Sequence, residues 1–282
     1  MGKLLKYYDY CHEAYEPLTA CRKKLSSDRL FYNSLEGSSD RKAFLRLFKK
    51  IRQEVGPWNT VWGVKWARGQ ISWELYFYNH GIKDSPVSVT HLLRILSSYF
   101  KVLSFKAIDV ERIPYFMVSV DLGDDVFQMK AINGIHLYTP GRQGVLQGAS
   151  YHLIQGGCVF ENHYDFYHIP AEEEQLVYHV RQNLILSSGN AAILRHVLVK
   201  ALMRCGRICV AHKKEREGLY FSRVNVRQLI VFLEWFGYPE HIVSFFREQQ
   251  ARLDHLLYDV AFDCALRAGK LVFDKSSYYS VF

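Results

Sequence analysis

Five basic residues, Lys65, Arg207, Lys213, Arg223 and Lys275, stand in stretches that read as β-strands, and the same stretches are rich in tyrosine. Lysine and arginine on converging strand faces can neutralise a multiply charged anion inside a dry cavity. Aromatic faces attract cations by roughly 0.5–2 kcal/mol each, and tyrosine hydroxyls also donate to anionic oxygens. Tyr76, Tyr78, Tyr138, Tyr220 and Tyr278 are the tyrosines read as facing such a site, with His136 two residues from Tyr138 on the same strand face. Glu74 lies mid-strand on the polar face of its segment, where a carboxylate is costly unless paired, so it reads either as a proton acceptor or as a salt-bridge partner. Asp259 and Asp263 are weaker candidates for the same task. Any one of these cations reads equally well as solvent-facing, and any one tyrosine as rim packing. Together they describe a site that handles both negative charge and flat or cationic groups.

Composition sets the bounds on that site. The chain has 282 residues, 49% hydrophobic and 23% charged, which excludes disordered and fibrous classes. Lys and Arg number 36 against 28 Asp and Glu, a net charge of +8, so an anionic partner is favoured: nucleic acid, a membrane surface or a phosphorylated substrate. Tyr is the commonest aromatic, at 19 residues. No run approaches 18 apolar residues and MGKLLKYYDYCHEAYE lacks an apolar export segment, so a soluble, cytoplasmic protein is expected, with its six cysteines as free thiols.

The elements that must position these residues recur in a fixed order. DRKAFLRLFKKIRQE (40–54) places Phe44, Leu47, Phe48 and Ile51 on one helical face, and TVWGVKWA and ISWELYFYNHG follow as strands across Arg68-Gly69-Gln70. A helical pattern over 87–101 precedes strands near 114–121 and 133–139. ASYHLI and CVFENHYDFYH form a third hairpin, and a helix starts at Pro170 and the three glutamates behind it. RICVAHK and GLYFSRV form a fourth hairpin. Helices at 225–236 and 240–252 lead to the fifth, HLLYDVAFDCAL with KLVFDKSSYYSVF. Five antiparallel hairpins give about ten strands, enough to close a barrel with a lumen and leave no edges. In ISWELYFYNH, Ile71, Trp73, Leu75 and Phe77 oppose Ser72, Glu74, Tyr76 and Tyr78. The apolar faces are therefore expected under an outer ring of helices and the polar faces in the lumen. The fold class is α+β, one barrel domain over 1–282, with residues 1–39 expected as a helical segment packed outside it.

This order, from about residue 40 to 282, resembles the aromatic prenyltransferases of the ABBA, or prenyltransferase-barrel, fold, including their peptide-modifying members. At residue level the likeness rests on WGVKWARGQISWELYFY, which looks like the family's Gly-hydrophobic-charged strand followed by a strand ending in an aromatic cluster. The resemblance implies transfer of a dimethylallyl or geranyl group from its diphosphate to an aromatic or other nucleophilic acceptor, a small molecule or a peptide side chain. It implies diphosphate binding by Lys65, Arg207, Lys213, Arg223 and Lys275, shielding of the allylic cation by Tyr76, Tyr78, Tyr138, Tyr220, Tyr278 and His136, and proton removal by Glu74. His136-Leu137-Tyr138 imperfectly resembles the Lys-x-Tyr pair of the fungal branch. In the magnesium-dependent bacterial branch the charged residue of the first strand is acidic; here it is Lys65, which repels a divalent ion and attracts diphosphate. No obligatory cofactor is expected, with Mg2+ optional.

Other constellations are weaker. Cys205-x-x-x-Cys209 with His212 lacks a second ligand pair and alternates across strand faces, and ENHYDFYH alternates with no partner cluster, so no metal site is expected. There is no GxGxxG, Walker loop or GxSxG elbow, and Asp124-Asp125 stands alone. The competing class is a basic, aromatic-rich barrel that stacks single-stranded nucleic acid, which needs those residues on an outward face. The lumen assignment favours a monomer that binds neither nucleic acid nor membrane.

Overall fold

The computed structural model describes residues 10–12, 14–56, 60–78, 87–102, 113–132, 134–141, 144–154, 157–185 and 192–282. Ten strands carry the lumen: β1 (Thr60–Ala67), β2 (Gln70–Tyr78), β3 (Met117–Gly123), β4 (Ile135–Gly141), β5 (Gly144–Ile154), β6 (Gly157–His168), β7 (Arg207–Lys213), β8 (Arg216–Asn225), β9 (Leu257–Arg267) and β10 (Lys270–Tyr279). Every strand pairs antiparallel with its chain neighbour, and β1 pairs with β10, so the sheet closes. The β1–β2 and β9–β10 hairpins turn through Arg68-Gly69 and Ala268-Gly269, both residues of each pair having positive φ (53° and 79°, 50° and 74°). Two such residues match the twist of a tight hairpin.

Strand alternation explains the layering. Trp62, Val64, Trp73, Leu75, Phe77, Val118, Val120, Leu122, Phe221, Val260 and Phe262 are buried on the outer face against the helices. Burying such side chains is worth ~1.5–3 kcal/mol each, so the outer face rather than the lumen drives closure. Helix α1 (Asp28–Ser34) lies against β1, and α2 (Arg41–Val55) sets Phe44 against Trp73 at 4.5 Å between ring centroids. The helices α3 (Val89–Leu96), α4 (Val126–Met129), α5 (Glu173–Val180), α6 (Ala192–Val197), α7 (Val226–Trp235), α8 (Glu240–Glu248) and α9 (Gln250–Leu253) continue the outer layer. At α7 a capping box fixes the start: Asn225 accepts from the Arg227 and Gln228 amides at 3.0 and 3.1 Å, and Gln228 accepts from the Asn225 amide at 3.0 Å. Among the described residues no helix is long and apolar enough to cross a membrane.

Within the segment expected to be helical outside the barrel, only α1 is helix among the described residues. The His12 amide donates to the Val281 carbonyl at 3.2 Å, which carries the early chain across one end of the barrel.

Candidate active site

Register assigns each lumen residue. Across the closed sheet, Lys65, Glu74, Asp121, His136, Ser150, Asn162, Lys213, Asp263, Lys275 and Ser277 share the inner face, and they lie toward the hairpin turns. They form an ionic layer. Lys65 Nζ stands 2.9 Å from both Glu74 Oε2 and Asp121 Oδ1. Lys213 Nζ lies 2.7 Å from Asp263 Oδ1, and Lys275 Nζ 3.5 Å from Asp263 Oδ2. A bulge between the Ser150 and Tyr151 pairings leaves Glu161 outside the ladder, and its Oε2 meets His136 Nδ1 at 2.9 Å.

The electrostatics of this layer follow from those pairs. Burial works against the Lys65 charge, but Asp121 and then Glu74 outweigh it and raise its pKa. Burial would raise Asp121, yet Lys65 and His136 hold it well below the usual carboxylate range. Glu74 goes the other way: burial and the neighbouring Asp121 charge raise it, and Lys65 only partly compensates. His136, despite burial, is pushed up to about 9 by its contacts with Asp121 and Glu161, so it is a cation at neutral pH. Lys65, Lys213, Lys275 and His136 thus face Glu74, Asp121, Glu161 and Asp263, and the layer is neutral when Glu74 is ionised and gains one positive charge when it is protonated. The Asp121 and Glu161 side chains are each 37% accessible, so solvent reaches the layer beside these pairs.

At the opposite end the lumen widens into a cavity of about 480 Å³ lined by Tyr78, Met117, Phe166, Arg207, Asp259 and Phe282, among others. A belt of tyrosines separates it from the ionic layer: Tyr76 lies 5.9 Å from Tyr138 and 5.8 Å from Tyr279, Tyr138 lies 6.1 Å from Tyr164, and Tyr279 lies 6.4 Å from Tyr220. Burial holds these phenols far above their usual pKa, so they stay neutral donors. Gly63 makes room for the belt, because a Cβ there would sit 2.4 Å from the Tyr279 ring. One polar thread crosses the belt. Ser119 Oγ donates to Glu74 Oε1 at 3.2 Å and lies 3.3 Å from the hydroxyl of Tyr138, which lines the cavity.

No protein-family model matches the chain, and no curated protein matches it in sequence. In three dimensions it is similar to the crystal structure of AnaPT from Neosartorya fischeri, with a TM-score of 0.54, 10% identity, and coverage of 89% of this chain and 91% of that one. The fold is the prenyltransferase barrel.

In this prenyltransferase barrel the five expected anion-binding residues do not converge. Lys65, Lys213 and Lys275 meet in the ionic layer, each beside a carboxylate. Arg207 shares a strand face with Lys213 but begins β7 where Lys213 ends it, about 20 Å away at the strand rise of ~3.3 Å per residue, and it lines the cavity instead. Arg223 sits at positive φ (65°) where the β8–β9 register shifts, its amide donating to Asp259 Oδ1 at 2.8 Å. Tyr278 is a correction: it pairs with Val64 and Val260 on the outer face and packs on Tyr238 and Phe246, because Lys275, Ser277 and Tyr279 take the inner positions of β10. Glu74, Tyr76, Tyr78, His136, Tyr138 and Tyr220 all face the lumen.

Several lumen residues escaped the sequence reading. Tyr279 and Asp121 were accessible to strand parity, through Lys275-x-Ser277-x-Tyr279 and Ser119-x-Asp121. Glu161 depends on a bulge, and Phe282 lies beyond its strand, so neither carries a periodic signal. Asp259 is pushed up to about 6 by burial, which hydrogen bonds from the Arg223 and Phe282 amides and the Ser222 hydroxyl only partly offset, and through those bonds it anchors the backbone at the cavity wall. The layer does not make a cradle for a resident divalent ion, because the Lys65 ammonium stands between the two carboxylates that would hold one.

Proposed function

We propose that this chain is a prenyltransferase that moves an allylic group from its diphosphate to an aromatic or other nucleophilic acceptor, either a small molecule or a peptide side chain. The observation that carries the reading is the order of the lumen: lysine layer, tyrosine belt, apolar cavity, within a barrel whose structural neighbour AnaPT is a fungal aromatic prenyltransferase. The diphosphate is placed beside Lys65, Lys213 and Lys275, exchanging contacts with Asp263 and Asp121. The allylic carbons lie within the belt, where aromatic faces stabilise the developing cation and exclude water. The acceptor occupies the cavity, whose volume of about 480 Å³ suits a bicyclic ring or an aromatic side chain.

Loss of the acceptor's proton completes the reaction: a carbon–carbon or carbon–heteroatom bond forms, the carbon–oxygen bond to pyrophosphate breaks, and one proton leaves. Tyr138 and Ser119 supply the path from the cavity to Glu74, whose raised pKa makes it a competent acceptor. Binding of single-stranded nucleic acid is disfavoured by the inward placement of the tyrosines.

The test is incubation with dimethylallyl or geranyl diphosphate against aromatic metabolites, free aromatic amino acids and a peptide library, read by mass spectrometry. The expected result is an acceptor carrying one added C5 or C10 unit with release of pyrophosphate. Absence of product, together with no binding of either diphosphate in titration calorimetry, overturns the proposal.

A further inference from the structure

The outer wall of the barrel holds a second group of chemically capable side chains, distinct from the lumen. His163, Asp165 and Tyr167 alternate on the outer face of β6, with His212 directly across from His163 on β7 and Glu217 across from His212 on β8. Sequence spacing offered no partner for ENHYDFYH; the fold supplies one in His179, from the last turn of α5. Nε2 of His212 lies 3.0 Å from Nε2 of His179 and 3.1 Å from Asp165 Oδ2, and the three donor atoms all fall within 4.8 Å of one another.

We propose that Asp165, His179 and His212 bind a zinc ion that clamps α5 to the β6–β7 wall, with water completing its shell. The first support is the outer contact of each ring. His212 Nδ1 faces Glu217 Oε2 at 2.7 Å, and His179 Nδ1 lies 2.6 Å from the Tyr167 hydroxyl. The Glu217 carboxylate beside Nδ1 suits the tautomer that presents Nε2 to a metal ion, and that Nε2 already faces a carboxylate oxygen and a second imidazole. Three electron-rich atoms converging this way repel unless a cation sits among them. A proton on His212 Nε2 can be shared between Asp165 and His179 across these two contacts, whereas a metal ion in its place would bind all three donors directly. Oxygen partners on the distal nitrogens are also the usual arrangement around metal-bound histidines.

The donor set and the spacing select the ion. Two imidazoles and one carboxylate suit zinc over magnesium or calcium, which prefer all-oxygen shells. Zinc bonds of ~2.0–2.1 Å in a tetrahedron put ligand atoms roughly 3.3 Å apart, so the 3.0 and 3.1 Å contacts of His212 must open by about 0.3 Å and the Asp165–His179 pair, within 4.8 Å, must close toward the same spacing. His163 Nε2 lies 3.4 Å from the other Asp165 oxygen and outside the group of three, so it touches a ligand and is not counted as one. Since the ligands come from β6, β7 and α5, the ion ties a helix to the sheet and is structural rather than part of the lumen chemistry.

The experiment uses the full chain purified without a polyhistidine tag, stripped with chelator, and titrated with Zn2+ and Co2+. One equivalent of Zn2+ should bind and raise the melting temperature by several degrees, and Co2+ should give the intense visible bands of four-coordinate geometry. His179→Ala and His179→Gln, both checked for folding by circular dichroism, should lose the bands and the thermal shift. Glu217→Gln should weaken Zn2+ binding by roughly 10–100-fold, as loss of an outer-shell partner does. Asp121→Asn, in the lumen, should leave the binding unchanged. Stoichiometric binding that survives both His179 variants but not Asp121→Asn would relocate the site to the lumen. The absence of any Zn2+-dependent thermal shift in the unaltered chain would reduce the cluster to a proton-bridged network; either result overturns the proposal.

Discussion

Lys65→Met is the most informative single change, because it removes the cation that stands 2.9 Å from each of two lumen carboxylates. Removing one partner of a buried pair costs about 3–5 kcal/mol, since the other charge is left uncompensated. The Glu74 limb, with 4% of that side chain accessible, carries most of this cost; the Asp121 limb, 37% accessible, is screened and contributes little. The lower end, about 3 kcal/mol, is therefore expected, a drop of roughly 6–12 °C in melting temperature for a chain of this size. The loss must also depend on pH in a defined direction. Without Lys65 the folded-state pKa of Glu74 rises further, so the destabilisation is full above that pKa and shrinks as pH falls through it and the carboxyl becomes neutral. Lys65→Met/Glu74→Gln should recover much of the loss, because the fully buried charge opposite the missing ammonium is gone and the remaining one, on the partly accessible Asp121, keeps His136. Thermal melts of the unaltered chain, the single variant and the double variant between pH 5 and 8 decide the matter. A single variant within about 1 kcal/mol of the unaltered chain at pH 7.5, with no pH dependence, would refute the buried-pair account.

Three further outcomes are expected. If protons reach Glu74 through Ser119, then Ser119→Ala and Glu74→Gln should each lower kcat, Glu74→Gln by a factor on the order of 10²–10⁴, while titration of a thiolated allylic diphosphate shows unchanged binding in Ser119→Ala and equal or tighter binding in Glu74→Gln, whose layer carries one more positive charge; full turnover in Glu74→Gln would return the base to Asp259, Asp263 or solvent. His136, with its folded pKa raised to about 9 from 6.5, contributes stability that is fully present below pH 6.5 and is lost as pH rises through 9. Denaturant melts should show that decline in the unaltered chain and a flatter profile in His136→Ala; parallel profiles would remove His136 from the charged layer. Phe282→Ala withdraws a ring that lies 4.7 Å from Tyr76 and 5.1 Å from Tyr279, so preference should shift toward geranyl over dimethylallyl diphosphate by on the order of tenfold in relative kcat/KM, and an unchanged ratio would place the donor chain elsewhere.

The architecture was readable in the sequence because two periodicities carry it. Trp73, Leu75 and Phe77 against Glu74, Tyr76 and Tyr78 separate the helix-facing side of β2 from the lumen, and that split holds around the barrel. The same parity, applied to β10, would have placed Tyr279 rather than Tyr278 beside Lys275. What parity does not contain is height along a strand and contact between strands. Arg207 and Lys213 share a face yet stand at opposite ends of the barrel, so a list of inward cations overstated how many could grip one anion. Bulges hide further residues: Glu161 turns to His136, and Arg223 leaves the ladder to donate its amide to Asp259, only because a residue is inserted at those points. His179 could not be joined to His212 from spacing, since α5 crosses the wall at an angle no local pattern encodes.

Neutrality of the ionic layer sets the terms on which a diphosphate could enter. An array of unpaired lysines would repel itself and lower its own pKa values, as burial and Lys275 already do to Lys213. Interleaved carboxylates offset that repulsion, at the cost that a bound diphosphate must exchange with them. That exchange is least costly at Glu74, where burial and Asp121 already favour protonation: taking up one proton there turns a neutral layer into one with a net positive charge. Under the proposed function, the residue that receives the acceptor's proton is thus also the residue whose protonation would strengthen the hold on the pyrophosphate produced in the same step. On that proposal, proton transfer to Glu74 and stabilisation of the leaving group would be one electrostatic event, linking a carboxylate below the tyrosine belt to the chemistry proposed within and above it.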